Sequence, residues 1–308
     1  MLKQFYSCAN VTKRAASIDK SDIRFNRTIK GKIMKLRIAT YNIHKGVSAF
    51  GRKARIHALK EAINLLDADL VFLQEVQGQH DHHAKKHADW PELAQHEFLA
   101  GDSHASAYGM NAVYQHGHHG NALLSRLPIL HSSNHDVSDH AYEQRGILHV
   151  RVQLGEILAH CFVIHLGLFA ASRRRQIQAL IAQIQTEVDA KQPLIIAGDF
   201  NDWSQGLSHT LYRELGVIEA FDVANHSHTE LPLKRNTLAA VKTFFQTNST
   251  HARTFPAGLP WLSLDRVYLR GFQVERANVL SGKPWSQLSD HVPICVDLRM
   301  NSLRSDHG

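Results

Sequence analysis

The chain of 308 residues is 44% apolar and 20% charged, with 18 glycines and 8 prolines, a globular balance that excludes a disordered, collagen-like or coiled-coil protein. No uninterrupted apolar run approaches the roughly 18 residues of a membrane-spanning helix, and Cys8, Cys161 and Cys295 are too few and too scattered for a disulfide framework or a cysteine zinc site. The net charge of +7 is concentrated in residues 1–33, which hold eight cations and two anions; the rest of the chain carries only +1, so bulk charge gives no support for a nucleic-acid tract there.

Residues 1–33 lack the apolar core and cleavage pattern of a signal peptide. A transit peptide or an arm for an anionic surface would share their basic makeup. The simpler expectation is a disordered extension, with Met34 as the natural start. A domain over residues 34–300 and a tail at 301–308 follow, in a reducing, cytoplasmic setting.

Leu36 to Ile43 reads as a buried strand, and Ile56, Leu59, Ile63 and Leu66 recur at helical spacing. Asp69 to Glu75 is strand-like and ends on a carboxylate. The region from His80 to His119 holds nine of the 23 histidines in no zinc-site spacing, and is expected to be solvated loop. Asn121 to Ser125, Ile147 to Val152 and Ile157 to Ile164 resume the strand pattern. A second helix is expected to start with Ser172 as its N-cap and to bury Ile177, Leu180, Ile181, Ile184 and Val188. Pro193 to Phe200, Leu264 to Leu269 and Val292 to Leu298 are further strands, Cys161 and Cys295 being apolar packing residues within two of the runs. Many short strands with a few separated helices predict two packed sheets flanked by helices.

Polar residues stand at the ends of these strands, where a packed core would not ask for them: Asn42, Glu75, His165, Asp199, Asn201, Asp265, Asp290 and His291. Strand-end carboxylates gathered by a sheet make a hard oxygen site suited to Mg²⁺ or Mn²⁺ rather than Zn²⁺. Each has a plainer reading alone: Asn42 as a turn former, Asp199 as a cap, Asp265 as half of an ion pair with Arg266.

Seven motifs occur in order: Thr40-Tyr-Asn42-Ile, Leu73-Gln-Glu75, Gly120-Asn-Ala-Leu-Leu-Ser-Arg126, Ile164-His165-Leu, Gly198-Asp199-Phe-Asn201, Leu264-Asp265-Arg and Ser289-Asp290-His291. Together they resemble the endonuclease/exonuclease/phosphatase superfamily. His-Lys-Gly after Ile43, with Gly-His-His-Gly-Asn-Ala and Ala-Arg-Thr-Phe-Pro, is similar to a bacterial branch of it. The resemblance implies an α/β fold, a four-layer α/β sandwich with two central mixed sheets and the active site at one sheet edge. It implies that Glu75, with Asn42 and Asp290, holds the metal, and that Asp199 orients or deprotonates the attacking water. Asn201 would hold the phosphate. His291 would contact the scissile phosphate, its tautomer fixed by Asp265, with His165 as a second phosphate-facing histidine.

Asn121, Glu143, Arg145 and Arg253 are further candidates for substrate contact; Glu143 and Arg145 read equally well as a carboxylate for His165 beside a phosphate-binding arginine or as a structural ion pair. The triple cation Arg173-Arg-Arg175 opposes the dipole of the helix it opens, as a solvated face or toward an anionic partner. The expected activity is hydrolysis of a phosphodiester by a divalent-metal-dependent hydrolase. Its substrate would be a phosphate ester, with nucleic acid and a peripheral lipid surface both open as partners. A DNA or RNA endo/exonuclease, a lipid-headgroup or small-molecule phosphodiesterase or phosphatase, and a non-catalytic binding module on the same fold are the alternatives.

Overall fold

The computed structural model describes residues 34–48, 53–80, 85–139, 143–203, 206–226 and 251–300. The predicted extension and tail, Cys8, His82 and His83 lie outside the described residues. In one sheet, β1 (Met34–Asn42), β2 (Leu70–His80), β3 (Ala105–Tyr114), β4 (Gly117–Ser125), β11 (Gln273–Val279) and β12 (Ile294–Met300) take the order β11-β12-β1-β2-β4-β3. In the other, β5 (Ile129–Asp136), β6 (Gly146–Leu154), β7 (Ile157–His165), β8 (Leu194–Asp199), β9 (Ile218–Glu219) and β10 (Asp265–Arg270) take the order β5-β6-β7-β8-β10-β9. Both sheets are mixed, with β1–β2 and β7–β8 the parallel pairs at their centres. No helix among the described residues is long and apolar enough to cross a membrane.

The central strands are buried on both faces, which is why they read as continuous apolar runs. Alternate residues still go to different places. Leu36 and Ile38 of β1, Leu70 and Phe72 of β2, Cys161 and Val163 of β7, and Ile195 and Ala197 of β8 meet between the sheets. Ala39, Tyr41, Val71 and Leu73 pack outward against α1 (Ile56–Leu66) and α2 (Gln95–Ala100). Phe162, Ile164, Leu194 and Ile196 pack outward against α3 (Ala170–Glu187) and α4 (Ser208–Leu215). A short α5 (Ala220–His226) follows β9. The four-layer sandwich with two central mixed sheets is thus the observed architecture.

Two local expectations are corrected. Among its described residues the histidine-rich region is largely strand and packed ring, not solvated loop. It contains the β3–β4 pair, where His96 stacks on Tyr108 at 4.8 Å and His118 meets the Tyr108 hydroxyl at 2.9 Å. His104 is buried, its Nε2 3.0 Å from the Ala68 carbonyl. Imidazole served here as a flat, half-apolar ring with a polar tip. Nor does Ser172 cap α3: the helix begins at Ala170, and the buried Ser172 hydroxyl donates to Asp139 at 2.6 Å.

Gly198 shows how closely the centre is packed. Its φ is +149°, and a Cβ there would lie 2.0 Å from the Ile164 carbonyl oxygen of the adjacent strand. Gly198→Ala is therefore expected to destabilise the fold by about 3 kcal/mol or more, since backbone and not a flexible side chain must yield. A urea midpoint unchanged from the parent would refute this.

Candidate active site

The inward-facing rows of the two sheets turn polar at one edge. In β1 the row Leu36, Ile38 ends in Asn42; in β2 the row Leu70, Phe72 ends in Gln74, the register partner of Asn42. Across the sandwich, the inward rows of β7 and β8 end in His165 and Asp199, and that of β10 opens on Asp265. These three lie side by side: His165 pairs in register with Asp199, and Asp199 with Asp265. The same alternation that builds the core thus places polar groups between the sheets where it ends.

Glu75 reaches the edge differently. The β2–β4 register shifts between Leu73 and Val76, and Glu75 has φ +56°; a bulge re-aims its side chain. His44, Lys45, Glu75 and Asn201 are four of the five non-glycine residues with positive φ among the described residues. Backbone of this kind costs energy and persists where surrounding packing enforces it.

The side chains form one network. Asn42 Nδ2 donates to Glu75 Oε1 at 3.3 Å and to Asp199 Oδ2 at 3.2 Å, tying a carboxylate of each sheet to one amide. The backbone N–H of Asn201 donates to Asp199 Oδ1 at 2.9 Å, and its side-chain amide donates to the Leu166 carbonyl at 2.9 Å. His291 Nδ1 lies 2.8 Å from Asp265 Oδ2, which also accepts from Thr254 Oγ1. The other nitrogen, Nε2, faces Asp199 Oδ2 at 3.7 Å, and His165 Nε2 faces the same oxygen at 3.6 Å. Asp265 does not pair with Arg266, whose guanidinium is buried and donates to the Asp202 carbonyl.

Burial raises the Asp199 carboxyl to about 6, with Asp265 adding to the rise; His291 and the bonds from Asn201 and Asn42 oppose it. Burial disfavours the cation of His291, but the charges of Asp265 and Asp199 prevail and push it up to about 10. Burial, with Arg145 and His291 nearby, holds His165 well below the usual imidazole range, hence neutral.

Asp290 and Glu75 sit at the open side, their side chains 34% and 18% exposed. Each faces a basic residue of the turn after β1: His44 Nδ1 is 3.2 Å from Asp290 Oδ2, and Lys45 Nζ is 3.5 Å from Glu75 Oε2. Asp290 is anchored through Ser289, whose hydroxyl contacts Asp290 Oδ1 and the Asn42 carbonyl. Two partly open carboxylates fit a hard divalent cation. Asn42 fits less simply, because its Oδ1 accepts the His44 N–H at 3.1 Å and its Nδ2 is the bridging donor. Asp199, Asp265 and His291 form a second group, fully buried, with ligand atoms within 4.8 Å of one another, that could hold an ion. His291 and Asp265 are already each other's partners there.

Of the remaining candidates Arg145 borders the centre, its Nε donating at 3.2 Å to the Leu166 carbonyl that Asn201 also uses. Glu143 pairs with Arg145 at 3.4 Å and accepts the Leu168 N–H at 2.9 Å. Asn121 Nδ2 donates to the Gly146 and Val163 carbonyls, joining β4 to the opposite sheet. Asn121→Ala should cost about 1–3 kcal/mol of stability by leaving buried carbonyls short of a donor, with turnover of the folded protein little changed; a large drop in turnover at unaltered stability would instead make it a substrate contact. Arg253 is exposed, and its neighbour Thr254 is the residue that reaches the centre. His44, Lys45 and Ser289 were not assigned roles from sequence, although His44 and Lys45 directly follow the Asn42 motif.

A family model described as "Endonuclease/Exonuclease/phosphatase family" matches residues 39–291. The chain is 37% identical over 268 residues to "Uncharacterized protein YbhP" of Escherichia coli (strain K12), a match spanning 86% of this chain and 96% of that protein. Among solved structures, an endonuclease/exonuclease/phosphatase from Bacteroides vulgatus aligns with a TM-score of 0.63 at 15% identity, over 87% of this chain and 99% of that one. D. rerio TDP2 complexed with single strand DNA product aligns with a TM-score of 0.57 at 17% identity, over 86% and 98%. At such identities these two show a shared fold.

Proposed function

The chain belongs to the endonuclease/exonuclease/phosphatase family, and on that premise we propose that it hydrolyses a phosphodiester with a divalent metal, Mg²⁺ or Mn²⁺, by in-line attack of water. The observation that carries this reading is the facing pair: a cationic His291 clamped by Asp265, and Asp199 across a 3.7 Å gap. Asp199 accepts the proton of the attacking water as its oxygen bonds to phosphorus and the bond to the leaving oxygen breaks. His291 donates from Nε2 to a non-bridging phosphate oxygen, and its charge is matched to what develops in the transition state. One amide hydrogen of Asn201 goes to the Leu166 carbonyl, and the other serves the phosphate. Neutral His165 presents a polar contact without adding charge. Glu75 and Asp290 would hold the metal, which supplies Lewis-acid stabilisation of the phosphoryl oxygens.

The test is hydrolysis of bis(p-nitrophenyl) phosphate by the full chain with Mg²⁺ or Mn²⁺, beside p-nitrophenyl phosphate and DNA and RNA oligonucleotides. Diester turnover that stops in excess chelator is the expected result. Absence of turnover on every substrate with both metals would favour the non-catalytic module. Cleavage confined to the oligonucleotides would favour a nuclease.

A further inference from the structure

Large apolar side chains crowd the edge that carries the site. Among the described residues Leu168, Phe169, Trp203, Leu259 and Trp261 are 55%, 65%, 54%, 78% and 63% exposed. Leu168 follows β7, Trp203 follows β8, and residues 255–262, which carry Leu259 and Trp261, lead into β10. Strands β7, β8 and β10 are neighbours, β8 parallel to β7 and antiparallel to β10. All three loops therefore leave the sheet where His165, Asp199 and Asp265 end it, and they carry these exposed side chains at that edge.

The loops are held in place. The buried Arg173 guanidinium lies 4.9 Å from the Trp203 ring centroid and donates to the Gly167 and Leu168 carbonyls, fixing two of the loops together. The third is a tight hairpin closed between Phe255 and Leu262, and the Phe255 ring lies tilted with its centroid 5.0 Å from that of His291. Ordered exposed apolar surface of this kind marks an interaction face.

We propose that this rim docks on the surface of an anionic lipid bilayer and presents a headgroup phosphodiester to the site. The docking stands on the rim alone, and the choice of substrate rests on the phosphoesterase reading above. Composition and charge together favour this partner. Tryptophan is at home at the headgroup level of a bilayer, with its ring in the apolar boundary and its N–H in the wet layer. The two leucines offer aliphatic bulk that enters a bilayer interface but gives a nucleobase no stacking face. Exposed Arg174, in the helix that follows the first loop, and Arg253, two residues before the hairpin, are near these loops in sequence and complement anionic headgroups. A single-stranded nucleic acid needs a groove of cations that tracks its phosphates. Here Arg173 lies buried beneath Trp203, and Arg175 is engaged by Asp139.

The experiment is co-sedimentation of the full chain with vesicles of mixed phosphatidylglycerol and phosphatidylcholine, with pure phosphatidylcholine vesicles, and in parallel with a single-stranded oligonucleotide. Binding to the mixed vesicles with a blue shift of tryptophan emission is expected, weaker on pure phosphatidylcholine. Leu259→Ser with Trp261→Ser should lower vesicle partitioning by about tenfold or more, with bis(p-nitrophenyl) phosphate turnover unchanged. Trp203→Ser should act in the same direction; since it also frees Arg173, the hairpin pair gives the cleaner reading. Three results would overturn the proposal: no vesicle binding, binding that survives the hairpin substitutions, or oligonucleotide binding that they abolish instead. Vesicle binding by a protein that hydrolyses no soluble diester would leave the docking in place and remove the phosphoesterase reading. Diester turnover without vesicle binding would do the reverse.

Discussion

Replacing His291 by alanine should lower kcat/KM for a chromogenic phosphodiester by about 10³-fold, the usual cost of removing one preorganised donor from a developing anion. Asp265→Asn should cost less and do something more diagnostic. Asp199 must be ionised to take a proton, so the rate should rise as pH passes through about 6. His291 must be protonated, so the rate should fall as pH passes through about 10. Exchanging the Asp265 carboxylate for an amide removes a full negative charge 2.8 Å from the ring, so the alkaline limb should move to lower pH. The acid limb should also move to lower pH, because the Asp265 charge is one of the causes that raise the Asp199 carboxyl. Stability runs with the same sign. The stabilisation that folding gives the imidazolium is complete below its unfolded pKa near ~6.5 and is lost as pH rises through about 10. Combining Asp265→Asn with His291→Ala should add little to His291→Ala alone, as for residues that act as one unit. Additive losses with an unmoved alkaline limb would remove Asp265 from the mechanism.

The second large effect is expected at the open side. Glu75→Gln should reduce metal-supported turnover by about 100-fold or more, because a neutral amide is a poorer ligand for a hard cation. Removing the metal from the parent with chelator should reproduce the loss, and added Mg²⁺ or Mn²⁺ should restore only the parent. The alternative placement, in the buried group Asp199, Asp265 and His291, is tested in the same series by calorimetric titration with Mn²⁺. If Glu75→Gln binds the ion as well as the parent does, Glu75 is not its ligand.

Much of this site was legible in the sequence because the strands carry it as an interruption. Apolar runs such as Ile195-Ile-Ala and Phe162-Val-Ile end abruptly in Asp199 and His165, and such endings needed an explanation from the beginning. Sequence could not show which atom of an amide is used. Asn42 serves as a donor to two carboxylates, where an oxygen ligand was expected. It also could not show where the residues after Asn42 point. His44 and Lys45 turn back onto Asp290 and Glu75 only because their backbone is left-handed, a state that tertiary packing imposes and local preference disfavours. The strands that escaped notice are those with a wet face. In β5 and β11 half-buried and exposed positions mix along the strand, and polar residues there hide the pattern. Histidine misled for a related reason: in His96 and His118 a ring that reads as solvated is packed against Tyr108.

The place of β12 in its sheet bears on how the protein is made. It is the last strand in chain order, yet it lies between β11 and β1, pairing along seven positions with the first strand. Asp290 and His291 immediately precede it. A growing chain on the ribosome therefore cannot close the first sheet, nor bring His291 to Asp265, until residues 290–300 have emerged. Such late, long-range closure slows folding. It also means that a truncated or stalled product would lack the residues that meet across the sheet edge. On the proposed reading, topology alone would keep such an incomplete chain from hydrolysing its substrate.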